Sequence, residues 1–297
     1  MYDLTICVIT RNRAQQLKDA ITSCLRCSLP LKTQFVIVDN ASTDNTESVI
    51  HSILKDSGYN YIYKKLENNL GVGGGRNICF QLSCSKYSYY LDDDAIIDPS
   101  YYNTFFKLPI EIFNSYNCVA TITTKIKDKA WGRDRDAILA RSWHVNAYPC
   151  ILMYHGGSHF IRNEVFSNRI SLYDNIQYGH EELSPSLFAM KKGYKNIYLE
   201  EIAIIHCPVI DKWSKNSSYL SNISFQSIYN QYLTKTTIYP SVFKPIIYCA
   251  YKARVHKHLK CENYSRNKTS KQSIRNTSKL DFILIVKLFY QFGFSVF

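Results

Sequence analysis

Apolar runs and helical periodicity take turns along the first hundred residues. "LTICVIT" (4–10), "TQFVIVD" (33–39), "YNYIYKK" (59–65) and "YSYYLDD" (87–93) read as strands. "AQQLKDAITSCL" (14–25), "TESVIHSILKDS" (46–57) and the segment after "GVGGGRN" (71–77) read as helices. Strand and helix in strict turn predict a parallel sheet covered on both faces. Ligands of such sheets sit at the carboxyl ends of the strands, where Asp39 and the triplet Asp92, Asp93 and Asp94 fall. Beyond residue 100 the pattern is mixed: "CVATITT" and "SHFIRN" predict strands, "ELSPSLFAMKKG" a helix ending at Gly193, and "NIYLEEIAIIH" a strand pair or one bent strand. After about residue 215 the chain reads as helices rich in Tyr, Ile and Phe.

With 297 residues the chain has room for one or two domains, and 46% hydrophobic against 20% charged residues excludes a disordered chain. Ten cysteines are scattered without regular spacing. "CLRC" (24–27) lies in a helix with no second ligand pair, so thiols rather than a zinc site are expected. The opening "MYDLTICVIT" enters a strand directly, with no leader pattern, and this predicts a reduced cytoplasmic setting.

The net charge of +12 concentrates in "YKARVHKHLK" (251–260) and "RNKTSKQSIRNTSK" (266–279). Such a tract attracts an anionic membrane surface or nucleic acid, or is a solvated tail. No domain of interleaved aromatic and basic residues accompanies it, so no nucleic-acid partner is expected. "LDFILIVKLFYQFGFSVF" (280–297) is nearly long enough to span a bilayer, but a central Lys287 costs roughly 2.5–3.5 kcal/mol there. Lys287, Gln291 and Ser295, spaced by four, predict a narrow polar stripe on an apolar helix. That suits a helix lying in a membrane interface, or one docked on the core or a second subunit.

Four places carry chemistry. In "VDNASTDNT" a buried strand releases Asp39 and Asn40 into a polar loop, and Asp44 is placed to cap the next helix. In "NNLGVGGGRN" the glycines allow close backbone approach to a ligand, and the following helix offers its amino end to an anion. The spacing does not fit a dinucleotide fingerprint, since Arg76 stands where the third glycine would be. In the aspartate triplet, extended geometry puts Asp92 and Asp94 on one side and Asp93 on the other. Like charges so close call for a compensating group, and paired carboxylates beside a diphosphate suit Mg²⁺ or Mn²⁺. Finally, Glu181 and Glu182 precede an amphipathic helix, and His206 ends an apolar strand in "AIIHCP".

Together these resemble the family 2 inverting glycosyltransferases of GT-A fold. The likeness runs from about residue 3 to 210 through "TRNR", "VDNASTDNT", "NLGVGGGRN", "LDDDAIIDP", "GHEELSPSLFAMKKGY" and "AIIHCP". It implies an α/β, Rossmann-like, mostly parallel sheet with helices on both faces, followed by a helical C-terminal extension. The division would be a catalytic domain over 1–212 (nucleotide-sugar half 1–98, acceptor half 99–212) and an extension over 213–297. Position by position, the resemblance puts Thr10, Arg11, Asn12, Arg13, Asp39, Asn40, Gly73, Gly74, Arg76, Asn77, Asp92 and Asp93 around the nucleotide sugar. It puts Asp94, Asp92 and His206 on a Mn²⁺ or Mg²⁺ ion, and Gly156 and Gly157 beside the acceptor. Glu182 aligns with the catalytic base, with Glu181 its rival. Many relatives show aspartate at the base position, and Ser184 stands where an acidic residue is frequent.

The implied reaction moves a sugar from a nucleoside-diphosphate donor, UDP-linked as first choice, to a hydroxyl of a glycan or lipid-linked glycan in surface polysaccharide synthesis. The alternatives are an inactive nucleotide-sugar-binding relative and a sugar nucleotidyltransferase. The second should have a glycine-rich loop after its first strand, and "TRNRAQQL" has no glycine. The partners implied are the donor, the acceptor and the inner membrane surface through the C-terminal region.

Overall fold

A computed structural model describes residues 1–129, 132–167, 171–174, 176, 178–208, 218–261 and 279–297. Along the chain come β1 (Tyr2–Thr10), α1 (Ala14–Leu25), β2 (Thr33–Asp39), α2 (Thr46–Leu54), β3 (Asn60–Lys65), α3 (Gly71–Leu82) and β4 (Ser85–Asp92). There follow β5 (Ala95–Ile97), α4 (Lys107–Ser115), β6 (Val119–Asp128), β7 (Arg133–Asp134), β8 (Leu139–Val145), β9 (Tyr148–Ile151), β10 (Ser158–Arg162) and α5 (Asn163–Phe166). The chain closes with α6 (Leu183–Lys191), β11 (Lys195–His206), α7 (Ser218–Ile238), α8 (Lys244–Cys261) and α9 (Phe282–Phe292).

The strands form one sheet in the order β3-β2-β1-β4-β10-β6-β11-β9-β8, with β5 paired to β11 and β7 to β6. β3, β2, β1 and β4 are parallel, as the alternation requires. β10 then runs antiparallel to both β4 and β6, which makes β6 and its parallel neighbour β11 point the same way as β4. The sheet is therefore mixed, mostly parallel, and five strands end at one edge with Thr10, Asp39, Asp92, Asp128 and His206. β2 is buried at all seven positions, as a central strand covered on both faces must be. The two faces carry separate apolar clusters, one built around Leu17, Phe105 and Phe160 and the other around Tyr90, Tyr154 and Tyr173.

"NIYLEEIAIIH" is one strand, with an irregularity in its pairing to β6 between Leu199 and Ala203. α6 ends as expected: Gly193 takes φ +87°, and its N–H donates to Met190 O at 3.0 Å. The third helix differs from expectation, because it begins at Gly71 and contains the glycines instead of following them. Of the basic tract, 262–278 lie outside the described residues.

The C-terminal helices do not form a polar-striped helix in the way Lys287, Gln291 and Ser295 suggest. Gln291 is buried and its Oε1 accepts from Ser142 N and Trp143 N at 3.0 and 3.1 Å on β8, while Lys287 is exposed. The glutamine satisfies backbone donors that docking would otherwise strand. On α7 the buried Lys235 donates to the carbonyls of Ser295 and Phe297, and just past its end Tyr239 Oη donates to that of Val296. No helix among the described residues is long and apolar enough to cross a membrane.

Candidate active site

The site lies at the carboxyl edge of the sheet, where the side chains just named leave their strands. Asp39, fully buried at the end of β2, accepts from Ser42 N at 2.7 Å and Tyr63 Oη at 2.6 Å. Each carboxylate oxygen thus has a protein donor. Asn40 accepts from Leu70 N and donates to Gly71 O, fixing the start of α3. The "TRNR" loop is tied to this turn: Asn12 Oδ1 accepts from Thr43 N at 2.8 Å, and Asn12 N donates to Ser42 Oγ at 2.9 Å. Arg11 in the same loop is exposed. Asp44 accepts from Thr46 N and also from Ala14 N, so one carboxylate serves the first turns of two helices.

At the glycines of α3 the protein itself comes close. A Cβ on Gly73 would overlap the carbonyl oxygen of Asp174, one on Gly74 would meet Leu70 Cβ at 2.5 Å, and one on Gly75 would meet Ile9 Cγ2 at 2.5 Å. Asn77 likewise faces the fold, exchanging hydrogen bonds with the backbone of Tyr173 at 2.8 and 3.0 Å.

The aspartate triplet does not alternate as an extended strand would. β4 stops at Asp92, a turn follows, and Asp93 and Asp94 both reach Nη1 of Arg13, at 2.7 and 2.8 Å. Asp93 also accepts from Thr10 Oγ1 at 2.8 Å. Asp92 turns to Arg76 Nη2 at 3.1 Å. Two arginines thus supply much of the compensation that three adjacent carboxylates demand. Burial still pushes the Asp93 carboxyl up to about 6, against the pull of Arg13. For Asp94 burial acts in the same upward direction, but its hydrogen bond and attraction to His206, with Arg13 and Arg135, hold it below the usual range.

Arg76, 3% exposed, gathers the rest of the site. Nη1 stands 2.5 Å from Glu182 Oε1 and 3.1 Å from Glu181 Oε1, and Nη2 donates to Gly156 O at 2.8 Å. Glu181 Oε2 is buried with no hydrogen-bond partner. Burial, then repulsion from Glu181, pushes Glu182 up to about 8 although Arg76 opposes the shift. The pair Gly156–Gly157, just ahead of β10, must be small here. A Cβ on Gly156 would overlap Glu182 Oε1, and one on Gly157 would lie 3.0 Å from Asp92 Oδ2. The glutamates are positioned by a loop with left-handed backbone at Gly179 (φ +87°) and His180 (φ +65°). α7 braces that loop: Asn230 Nδ2 donates to the carbonyls of Tyr178 and Gly179 at 2.8 and 2.9 Å.

Across the site His206 Nε2 lies 3.4 Å from Asp94 Oδ1, and His206 Nδ1 lies 3.1 Å from Asp128 Oδ2. Among the described residues no cluster of three or more His, Cys, Asp or Glu forms a metal cage. The chain offers the Asp94–His206 pair, an oxygen and a nitrogen spaced as neighbouring ligands of one ion. Such a pair suits a hard divalent cation that takes its other ligands from a diphosphate and water.

Arg135 and Asp128 were not foreseen from the sequence. Arg135 Nε donates to Asp128 at 3.2 Å, and Nη2 stands 3.0 and 3.2 Å from the two ring nitrogens of His206. The dense alternating charge of "KDKAWGRDRD" was the available signal, but only the folding back of β7 onto β6 brings Arg135 to the strand end. Tyr63, which donates to Asp39 from β3, was also missed; it reads in sequence as an ordinary strand aromatic.

A family model described as glycosyl transferase family 2 matches residues 5–174. No match is found among curated proteins. Among solved structures, S. aureus TarS 1-349 in complex with UDP-GlcNAc is similar at 15% identity and TM-score 0.62, over 86% of this chain and 73% of that one. The mannosyltransferase PcManGT from Pyrobaculum calidifontis, in complex with GDP-Man and Mn²⁺, gives 14% identity and TM-score 0.62 over 88% and 74%. GalNAc-T7 with UDP, GalNAc and Mn²⁺ gives 15% identity and TM-score 0.59 over 88% and 55%. At such identities the structures speak for the fold, and the family match covers more than half of the chain. With the GT-A sheet and its edge now described, the chain belongs to glycosyl transferase family 2 and is a glycosyltransferase.

Proposed function

We propose that the protein is an inverting, divalent-metal-dependent glycosyltransferase using a nucleoside-diphosphate sugar, UDP-linked as first choice, and a hydroxyl of a glycan or lipid-linked glycan as acceptor. The observation that carries this reading is the convergence of Glu181, Glu182, Asp92 and the Gly156 carbonyl on Arg76, beside the Asp94–His206 pair. Three structural neighbours were solved with UDP-GlcNAc, with GDP-Man and Mn²⁺, and with UDP and Mn²⁺, which supports a nucleotide donor and a divalent ion. We keep residues 1–98 as the nucleotide-sugar half, 99–212 as the acceptor half and 213–297 as an extension.

In this reading Asp39 receives the donor base, the 10–13 loop borders it, and Asp92 and Asp93 lie towards the ribose. Asp94 and His206 would hold Mn²⁺ or Mg²⁺, which would supply positive charge to the departing diphosphate. Glu182 accepts the proton of the acceptor hydroxyl as its oxygen attacks the anomeric carbon from the face opposite the diphosphate. The anomeric C–O bond breaks, and its electron pair leaves with the nucleoside diphosphate, inverting the centre. A carboxyl raised to about 8 is a stronger base than a free glutamate and is matched to neutral pH. Arg76 orients Glu182 and pairs it until an acceptor arrives. Gly156 and Gly157, which make room for Glu182 and Asp92, border the acceptor.

The test is the melting temperature with UDP, GDP and dTDP, each with and without Mn²⁺. A ligand at about 100 times its dissociation constant stabilises the fold by roughly 2.7 kcal/mol. A shift with one nucleotide, present only with metal, is expected and names the donor base. No shift with any of them would leave the fold without this function. A cytoplasmic position at the inner membrane surface belongs to the same proposal.

A further inference from the structure

α9 is apolar on both of its faces. Ile285, Leu288 and Phe292 are buried against the fold. The outward stripe holds Phe282, Ile283, Val286 and Tyr290, which are 55, 67, 48 and 67% exposed, and Phe294 in the following 3-10 turn, 71% exposed. Spacings of three and four residues keep Ile283, Val286 and Tyr290 together, with the exposed Lys287 among them. A contiguous outward face of large apolar side chains marks an interaction surface.

Charge identifies what covers it. Residues 213–297 contain 13 of the 36 Lys and Arg but 2 of the 24 Asp and Glu, leaving 23 against 22 in residues 1–212. Nearly the whole positive excess therefore sits in the part of the chain that carries α9. Lys244, Lys252, Lys257 and Lys279 are exposed cations of this part. Phe243, next to Lys244 at the start of α8, stacks on Phe282 at 5.2 Å between ring centroids, so that end of α8 adjoins the face. Two copies of such a surface would bring like charges together, whereas an anionic lipid surface is complementary to both its apolar stripe and its cations. Since no described helix can span a bilayer, the geometry is that of a helix lying in the interface.

We propose that the outward face of α9, with Lys287 and the neighbouring lysines, docks the protein on an anionic bilayer surface. This rests on the reading above only in placing the chain at a membrane, and it names the face and the lipid chemistry. One helix links it to the catalytic loop: on α7, Asn230 braces Tyr178 and Gly179 before the glutamates, and Lys235, about 7.5 Å further along the axis, holds the carbonyls of Ser295 and Phe297.

The test is flotation of the full chain with phosphatidylcholine vesicles containing phosphatidylglycerol, and with phosphatidylcholine alone. Binding to the anionic vesicles is expected, roughly tenfold weaker to neutral ones and weakened by salt. Substituting Ile283→Glu and Phe294→Glu together should abolish flotation and leave the melting temperature unchanged, because both side chains are exposed. No flotation with anionic vesicles, or undiminished flotation of the double variant, overturns the proposal. So does a lipid-free dimer, seen by sedimentation, that the double variant dissociates. Nucleotide-dependent melting with no flotation removes the membrane assignment alone, and flotation with no nucleotide response removes the proposed nucleotide and metal dependence alone.

Discussion

Arg76 Nη1 lies 2.5 Å from Glu182 Oε1, so the proposed base is ion-paired in the absence of substrates. The same guanidinium holds Glu181 and Asp92, and all of these except Asp92 are nearly excluded from solvent. Pairing and burial push the carboxyl in opposite directions, and burial with the neighbouring Glu181 prevails. Catalysis and stability therefore depend on the same contact, which the first two predictions separate.

If Glu182 is the base, it must be ionised to work. Its carboxyl is raised to about 8, so kcat/KM should increase as pH rises through about 8 and then level off. Glu182→Gln should lower kcat by roughly 10²–10⁴-fold and flatten that limb. Glu181→Gln should keep the limb, with a midpoint moved down because a repelling charge is gone. The reverse pattern in the pH–rate profiles of the two variants would make Glu181 the base.

Arg76→Met should be destabilising, because it leaves Glu181 and Glu182 buried without their cation. Breaking a buried pair from one side costs about 3–5 kcal/mol. Urea unfolding at pH 9, where Glu182 is ionised, measures this, and the loss should shrink as pH falls through about 8 and that carboxyl protonates. A loss under about 1 kcal/mol would mean that water or rearrangement satisfies the glutamates and that Arg76 does not hold them.

The first half of the fold was legible because each element there carries its own period, from the fully buried β2 with its apolar run Phe35–Val38 to the amphipathic α1. The carboxylates at the strand ends were legible too, since charge at the end of a buried strand must meet a cation, a ligand or water. Partners were not: nothing local says that Arg13 takes two members of the triplet or that Arg76 reaches residues more than 100 positions away. The placing of the antiparallel β10 between β4 and β6 and the inward turn of Gln291 depend on tertiary packing that no local pattern records. Nor does a local pattern say that Gly73, Gly74 and Gly75 make room for Asp174, Leu70 and Ile9.

That close approach makes Gly73→Ala informative. Alanine is favoured over glycine in a helix by about 1 kcal/mol, so an open position would gain stability. Here the added methyl would overlap a backbone carbonyl, that of Asp174, which cannot rotate away as a side chain would. Overpacking of this kind costs about 1–3 kcal/mol, and the net effect should be a lower denaturation midpoint. A raised midpoint would show that residues 171–174 give way freely and that packing does not require the glycine.

The metal proposal has a sharper test in the contrast between two residues that meet at His206. Asp94 and His206 are the proposed ligands, while Arg135 stands 3.0 Å from the same imidazole without being able to bind a cation. Asp94→Asn and His206→Ala should each weaken the Mn²⁺-dependent part of nucleotide binding by at least about tenfold, read by calorimetry with and without the ion. Arg135→Ala removes a positive charge from beside the pair, so Mn²⁺ alone should bind more tightly. The nucleotide should then bind more weakly if the guanidinium also faces the diphosphate. Opposite signs for metal and nucleotide would assign Arg135 to the leaving group. Losses of both together would make it a support for His206 and Asp128, and unchanged binding in Asp94→Asn would remove the ion from this edge of the sheet.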